Sequence, residues 1–485
     1  MALGELFFLL FMATVVAVHG QNSYSSSALP RFERRFSQTC GRYPFVAKYL
    51  EMQRSPRERY VIYVFDEPGG GGGGGLGDRL GGMITALAFA LRTDRQFLIL
   101  GDKAFTDAFE PYQEADISRG GKKRTWAAWE WAGWRSEFTS NMTYNRHCVN
   151  PKPKATVCAL DRDIPAVKVI KFRGNRAYLC RWASKPSLQL AGSLKETLGV
   201  DGSTDLYEVA GCLLRLAMWP SDKLWAVLDA SFQSQLAAFS SSPPPTYQLG
   251  FHFRCGDSSF SAAAGKRVNK ECVLDPALRW NGTSFADDFS WDSPVDLATC
   301  GKAVLAGLRP VASASDGEGQ GQGGASSTLV YIASDYPPSG AQINDTLRWG
   351  MTIKPPEACH VDLGRSNAGS SSSPAAAAGA ATKLDCSLST TSQWLMLALS
   401  DTLVMQALQP NLDVNSPYKP KSPETAHLPT PPEELGPISA FSRYAAVYSL
   451  SKDGMRYGRN CTAVNKQVLS RQTMGNWICD PKMFH

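Results

Sequence analysis

A chain of 485 residues, 43% hydrophobic and 19% charged, can bury more than one core, and its length favours two globular domains. Its formal net charge of +6 comes from 50 basic residues spread without a long Lys/Arg run. That excludes the continuous cationic surface of a nucleic-acid binder and is equally suited to a small anionic ligand. Twelve cysteines with no Cys-x-x-Cys pair favour structural disulfides over thiolate metal sites.

In chain order, the apolar run Leu6 to Val18 is shorter than the roughly 20 residues of a membrane span and fits the core of a signal peptide ending near Gly20. An uncleaved signal anchor is the alternative. Sequons at Asn141, Asn281, Asn344 and Asn460 agree with passage through the secretory lumen (ER/Golgi) or secretion, with no stable membrane span after cleavage. Residues 21–39 are polar and Ser/Arg-rich and read as a flexible stem, so order is expected from Cys40, in an N-terminal domain over 40–242.

Tyr60 to Phe65 reads as a buried strand and Gln96 to Leu100 as another. Between them lie a Gly-rich loop, Gly69 to Gly77, and a helix from Asp78, with Leu80, Met83, Ile84, Leu87 and Leu91 on helical spacing. This βαβ unit brings Gly75, Gly77, Asp78, Arg79 and Gly81 to a helix start, where backbone N–H groups can hold an anion. About a dozen residues separate strand from helix, so the tight turn of a dinucleotide fingerprint is absent. Trp126, Trp129, Trp131 and Trp134 are candidates for stacking on sugar rings. Asp161-Arg162-Asp163 has the form of an Asp-x-Asp metal motif but no apolar strand before it. Gly211 to Leu216 reads as the core face of a helix continued by Leu224-Trp225, and Ser240 to Pro245 as the linker to a C-terminal domain over 243–485.

That second half opens on Tyr247-Gln248-Leu249-Gly250-Phe251-His252-Phe253-Arg254-Cys255-Gly256-Asp257. Its period of two makes a strand with Leu249, Phe251 and Phe253 on one face and His252 with Arg254 on the other, both near the carboxyl end where open α/β sheets bind ligands. Pro294 to Leu308 reads as a helix, Leu329 to Ala333 as a strand with Asp335 at its tip, Gln393 to Leu399 as a helix leading to Asp401, and Leu403 to Met405 as a strand. Residues 312–327 and 364–382 are low-complexity insertions, and Gln409 to Pro437 is a Pro-rich loop. Ser439-Ala440-Phe441-Ser442 opens a further helix, and free N–H groups with serine hydroxyls suit a phosphate. Cys461 and Cys479 are a candidate staple for the C-terminal tail.

Gly75-Leu76-Gly77-Asp78-Arg79-Leu80, His252-Phe253-Arg254-Cys255-Gly256-Asp257, and the third region of Tyr331 to Asp335 with Ser400-Asp401 and Ser439 to Ser442 form an ordered set. The set resembles the inverting fucosyltransferase superfamily of α1,6-fucosyltransferases and protein O-fucosyltransferases. That resemblance implies a GT-B architecture of two Rossmann-like α/β domains facing a cleft, GDP-fucose as donor, a glycan, glycoprotein or polysaccharide acceptor, and no metal. It implies donor-phosphate contact by Arg254, a phosphate pocket lined by Ser439, Phe441 and Ser442, and nucleotide contacts from His252 and from Asp335 or Asp401. Arg254 stands as the first catalytic candidate. Asp78 and Asp257 are the carboxylates available as base; Asp78 stands where many relatives have asparagine.

Overall fold

The computed structural model describes residues 24–55, 57–64, 76–100, 103–113, 142–144, 169–172, 198–199, 204–237, 245–253, 293–308, 328–334, 337–353, 388–408, 436–437, 440–451, 454–458 and 461. The stretch read as a flexible stem is instead a helix, α1 (Tyr24–Cys40), which buries Tyr24, Ala28, Phe32, Phe36 and Cys40. A strict spacing of four keeps these five side chains along one stripe, while serines and arginines take the outward faces. Mean composition hides that stripe. α2 (Pro44–Arg54) follows, with proline in its first turn, where a missing N–H costs nothing.

The first sheet forms as its apolar runs dictate. β1 (Tyr60–Val64), α3 (Leu76–Arg92) and β2 (Gln96–Leu100) make the expected βαβ unit, with Val61 opposite Phe97 in a parallel ladder. α3 starts two residues before Asp78, so Gly77, Asp78, Arg79 and Gly81 lie on the helix itself. A short helix α4 (Lys103–Ala108), β3 (Phe109–Glu110), β4 (Met142–Tyr144) and β5 (Val169–Phe172) follow, and the parallel order is β2-β1-β5-β4. α5 (Leu206–Ala217) is capped by Asp205, whose carboxylate accepts from the Tyr207 and Glu208 amides at 3.0 and 3.4 Å. The expected continuation into Leu224-Trp225 is broken. β6 (Trp219–Pro220) pairs antiparallel with β3, Pro220 has no amide for a helical ladder, and α6 (Asp222–Ala237) starts afresh with the Ser221 hydroxyl accepting from the Leu224 amide at 3.1 Å.

The second sheet is parallel throughout. Its elements are β7 (Tyr247–Phe253), α7 (Pro294–Leu308), β8 (Thr328–Ser334), α8 (Pro337–Leu347), β9 (Thr352–Ile353), the helix α9 over 388–398 and β10 (Thr402–Met405). Then come β11 (Ala407–Leu408) and β12 (Gly436–Pro437), paired antiparallel at the base of the Pro-rich insertion, α10 (Ala440–Ser449) and β13 (Met455–Tyr457). The order β13-β10-β7-β8-β9 makes β7 the central strand, covered on both faces. Leu249, Phe251 and Phe253 pack with Leu297, Leu305, Ile343 and Leu347 of α7 and α8. On the other face, Leu403 and Met405 of β10 and Tyr331 of β8 pack with α9, α10 and the helices of the first half.

The sheets fall on either side of the expected 242/243 boundary, but the helices interlock across it. α10 packs on α3 and α5, while the Phe232 ring of α6 meets Tyr331 of β8 edge-on at 5.7 Å. Among the described residues, two disulfides reinforce the seams. Cys40–Cys212 joins α1 to α5, and Cys300 of α7 takes Cys461, which is therefore not free to pair with Cys479. Arg215 of α5 is wholly buried, and its guanidinium donates to the carbonyls of Phe32, Tyr448 and Ser449 at 2.7–2.8 Å while lying 3.9 Å from the centre of the Phe32 ring. Burial pushes it down to about 9, still charged at neutral pH, so those carbonyls and the ring must carry the charge. One side chain thereby holds α1, α5 and the last turn of α10 together.

Candidate active site

Topology locates a site before any side chain is considered. From β7 the chain moves outward to β8 and β9 by way of α7 and α8 on one face, then returns to place β10 on the other side of β7 and β13 beyond it. α9 and α10 cover the opposite face. β7 and β10 are therefore neighbours at which strand order reverses, and the crevice outside their carboxyl ends is where a parallel sheet admits a ligand. Both ends are level there, since His252 is opposite Met405.

Two of the sequence candidates meet at this point. His252, penultimate in β7, is buried, and its imidazole lies 5.5 Å from the Phe441 ring with the planes 31° apart. The period of two puts His252 on the face away from Phe251 and Phe253, and α10 brings Phe441 to that same face. Ser442 and Arg443 follow Phe441 in the first turn of α10 and are 1% and 4% exposed. The buried guanidinium of Arg443 carries no mark in the sequence, where a lone arginine between serine and tyrosine reads as a solvated position.

Gly250, two residues earlier, explains how the strand can sit so close to its neighbours. A Cβ there would come within 2.4 Å of the Ser400 hydroxyl and 3.2 Å of Leu403. Arg254 succeeds Phe253 directly in the chain; Arg254, Asp257, Asp335, Ser439 and Gly75 lie outside the described residues. So do the four tryptophans and Asp161 with Asp163. In the first sheet the start of α3 stands at the carboxyl end of β1. Tyr63 donates to the Arg79 carbonyl at 2.7 Å, and burial raises its pKa far above the ordinary tyrosine value. Arg79 itself is 5% exposed.

Asp401 does not join the site. It precedes β10 and lies level with Gln248, at the amino edge, about 17 Å from the β7 tip at roughly 3.3 Å per residue. Its carboxylate accepts from the Gln248 amide at 2.7 Å and forms ion pairs with Arg31, at 3.4 Å, and Arg35 of α1. Gln248 extends this network. Its side-chain oxygen accepts from the Tyr24 hydroxyl and its amide nitrogen donates to the Met396 carbonyl at 2.6 Å. Burial raises the Tyr24 hydroxyl to about 12. The nucleotide role expected of Asp401 is thereby corrected to a clasp between α1 and the sheet, which no motif could reveal because its partners lie some 370 residues upstream.

No family model matches the chain, and no curated protein does. Among solved structures, it is similar to an Arabidopsis thaliana FUT1 variant in complex with GDP, at 13% identity and a TM-score of 0.41 over 90% of this chain and 78% of that one. It is also similar to NodZ alpha-1,6-fucosyltransferase soaked with GDP-fucose, at 14% identity and a TM-score of 0.33 over 81% and 93%. For the fucosyltransferase NodZ from Bradyrhizobium the values are 15%, 0.32, and 80% and 93%.

Proposed function

We propose that the chain is an inverting glycosyltransferase that moves fucose from GDP-fucose to a hydroxyl of a glycan, glycoprotein or polysaccharide without a metal ion. The observation that carries this reading is the meeting of His252 and Phe441 at the carboxyl ends of β7 and β10, where strand order reverses. Two separate sequence motifs thus converge on one crevice. The first motif, with Arg79, starts α3 at the equivalent end of β1 in the other sheet, and would serve the acceptor side.

In this reading the acceptor oxygen attacks the anomeric carbon, the bond to the donor β-phosphate breaks, and the acceptor proton passes to a carboxylate, Asp78 or Asp257. Charge grows on the departing diphosphate, and Arg254 with the amides and hydroxyls at the start of α10, Ser439 and Ser442, would stabilise it without a cation. His252, Phe441 and Asp335 would hold the nucleotide. The disulfides Cys40–Cys212 and Cys300–Cys461 support residence in an oxidising compartment of the secretory pathway.

The test is a panel of nucleotide sugars offered to the purified chain in EDTA, with mass spectrometry for donor hydrolysis and transfer. GDP-fucose should be consumed with the chelator present, and GDP at a hundred times its dissociation constant should stabilise the fold by about 2.7 kcal/mol. An equal or larger effect of UDP, or activity that needs added manganese, would overturn the donor or the metal assignment respectively.

A further inference from the structure

We propose that Asn344 is itself a modification site and carries an N-linked glycan. The chemistry needs an asparagine amide with a hydroxyl two residues on and no proline between, and Asn344-Asp345-Thr346 supplies it. It also needs a compartment where a lipid-diphosphate oligosaccharide is available. The disulfides joining cysteines 172 and 161 residues apart point to the same oxidising lumen.

The fold determines whether a sugar can remain there once the chain has folded. α8 lies on the outside of the second sheet, and Ile343 and Leu347, four apart, bury its inward stripe to 0% and 5% exposure. A helix turns by about 100° per residue, so Asn344 and Asp345 move off that stripe, and Asp345 is exposed. The Asn344 side chain donates to the Asp345 carboxylate at 3.4 Å on the exposed surface. Glycosylation replaces one of the two Nδ2 hydrogens and leaves the other able to keep that bond. The modification therefore removes no buried contact.

Beside the sequon, Asp345 and Thr346 border a shallow groove between α7 and α8 of about 640 Å³, also lined by Lys302, Gln342 and Arg348. That groove carries polar side chains, Lys302, Gln342, Asp345 and Arg348, beside Pro338 and Ala341. In the transfer, Nδ2 attacks the anomeric carbon of the lipid-linked oligosaccharide and a C–N bond forms. The C–O bond to the diphosphate breaks, the lipid diphosphate leaves, and the amide proton passes to a base of the host transferase.

The experiment is expression of the full chain in a eukaryotic secretory host, enzymatic removal of N-glycans, and peptide mass spectrometry for the Asn-to-Asp conversion that removal leaves behind. Conversion is expected at Asn344. Asn344→Gln and Thr346→Ala should each lose one glycan by gel mobility, and Thr346→Ser should retain it. GDP stabilisation should be unchanged in Asn344→Gln, because α8 and the β7–β10 crevice lie on different parts of the sheet. An unmodified Asn344 peptide in secreted, disulfide-bonded wild-type protein would overturn the proposal. That result is read without reference to donor binding, so it stands apart from the success or failure of the transferase assignment.

Discussion

A guanidinium that spans two phosphate oxygens cannot be replaced by an ammonium, because charge survives but the planar fork does not. Arg254→Lys should therefore be secreted and melt normally yet lose turnover by roughly a hundredfold or more, the scale of removing one transition-state donor. Unchanged turnover in purified Arg254→Lys would remove Arg254 from the donor site. Asp401 makes the opposite case. Its carboxylate answers Arg31, Arg35 and the Gln248 amide. Asp401→Asn should thus cost about 2 kcal/mol of stability, the range of hydrogen bonds to charged groups, and leave GDP affinity where it was. Denaturant unfolding alongside a GDP titration checks both halves, and weakened GDP binding in a variant of normal stability would contradict the assignment. The face on which His252 lies was legible from strand alternation alone. Asp401 was not, since an aspartate ahead of a strand looks the same at either edge of a sheet.

At the scale of elements, the helices are held by a few side chains that reach across them. Arg215 satisfies carbonyls on α1 and on the last turn of α10. Arg215→Met fills much of the volume but leaves those carbonyls without donors, and should destabilise the fold by about 3 kcal/mol or more, as breaking a buried charged contact does. Calorimetry reads this directly, and a loss below about 1 kcal/mol would mean that water replaces the guanidinium. α1 should be equally indispensable. A chain with residues 1–20 joined directly to Cys40 keeps its leader but loses Tyr24, Ala28, Phe32 and Phe36 from the core together with the Asp401 clasp. It should fail to be secreted as a folded protein, whereas a true stem could be removed without effect; normal secretion of that truncation would restore the stem. α1 escaped notice because twelve outward and intervening residues set the average, while five buried ones set the structure.

For the whole molecule, the buried tyrosines set a limit at high pH. Burial raises Tyr24 and Tyr43 to about 12 and Tyr63 and Tyr448 further, whereas all ionise near 10 when unfolded. A folded-state pKa above the unfolded one means that the native state retains more protons between the two values. Their contribution is therefore fully present below pH 10 and lost as pH rises from about 10 towards 12. Melting temperature should fall steeply over that window, and Tyr24→Phe should make the fall shallower. A melting temperature independent of pH there would show that these hydroxyls are already exposed to water.

Sequence by itself determined the local matters. It gave the β1–α3–β2 unit, the helix Pro294–Leu308 to its last residue and the faces of β7, because each depends on periodicity within a few residues. Only the tertiary structure decided that α1 is core, that α10 crosses to pack on α3 and α5, that Cys461 pairs with Cys300, and that Asp401 is a clasp. Each of these depends on partners more than a hundred residues away. Side-chain chemistry can say that a carboxylate or thiol needs a partner, but only the packing of distant elements selects which one it meets.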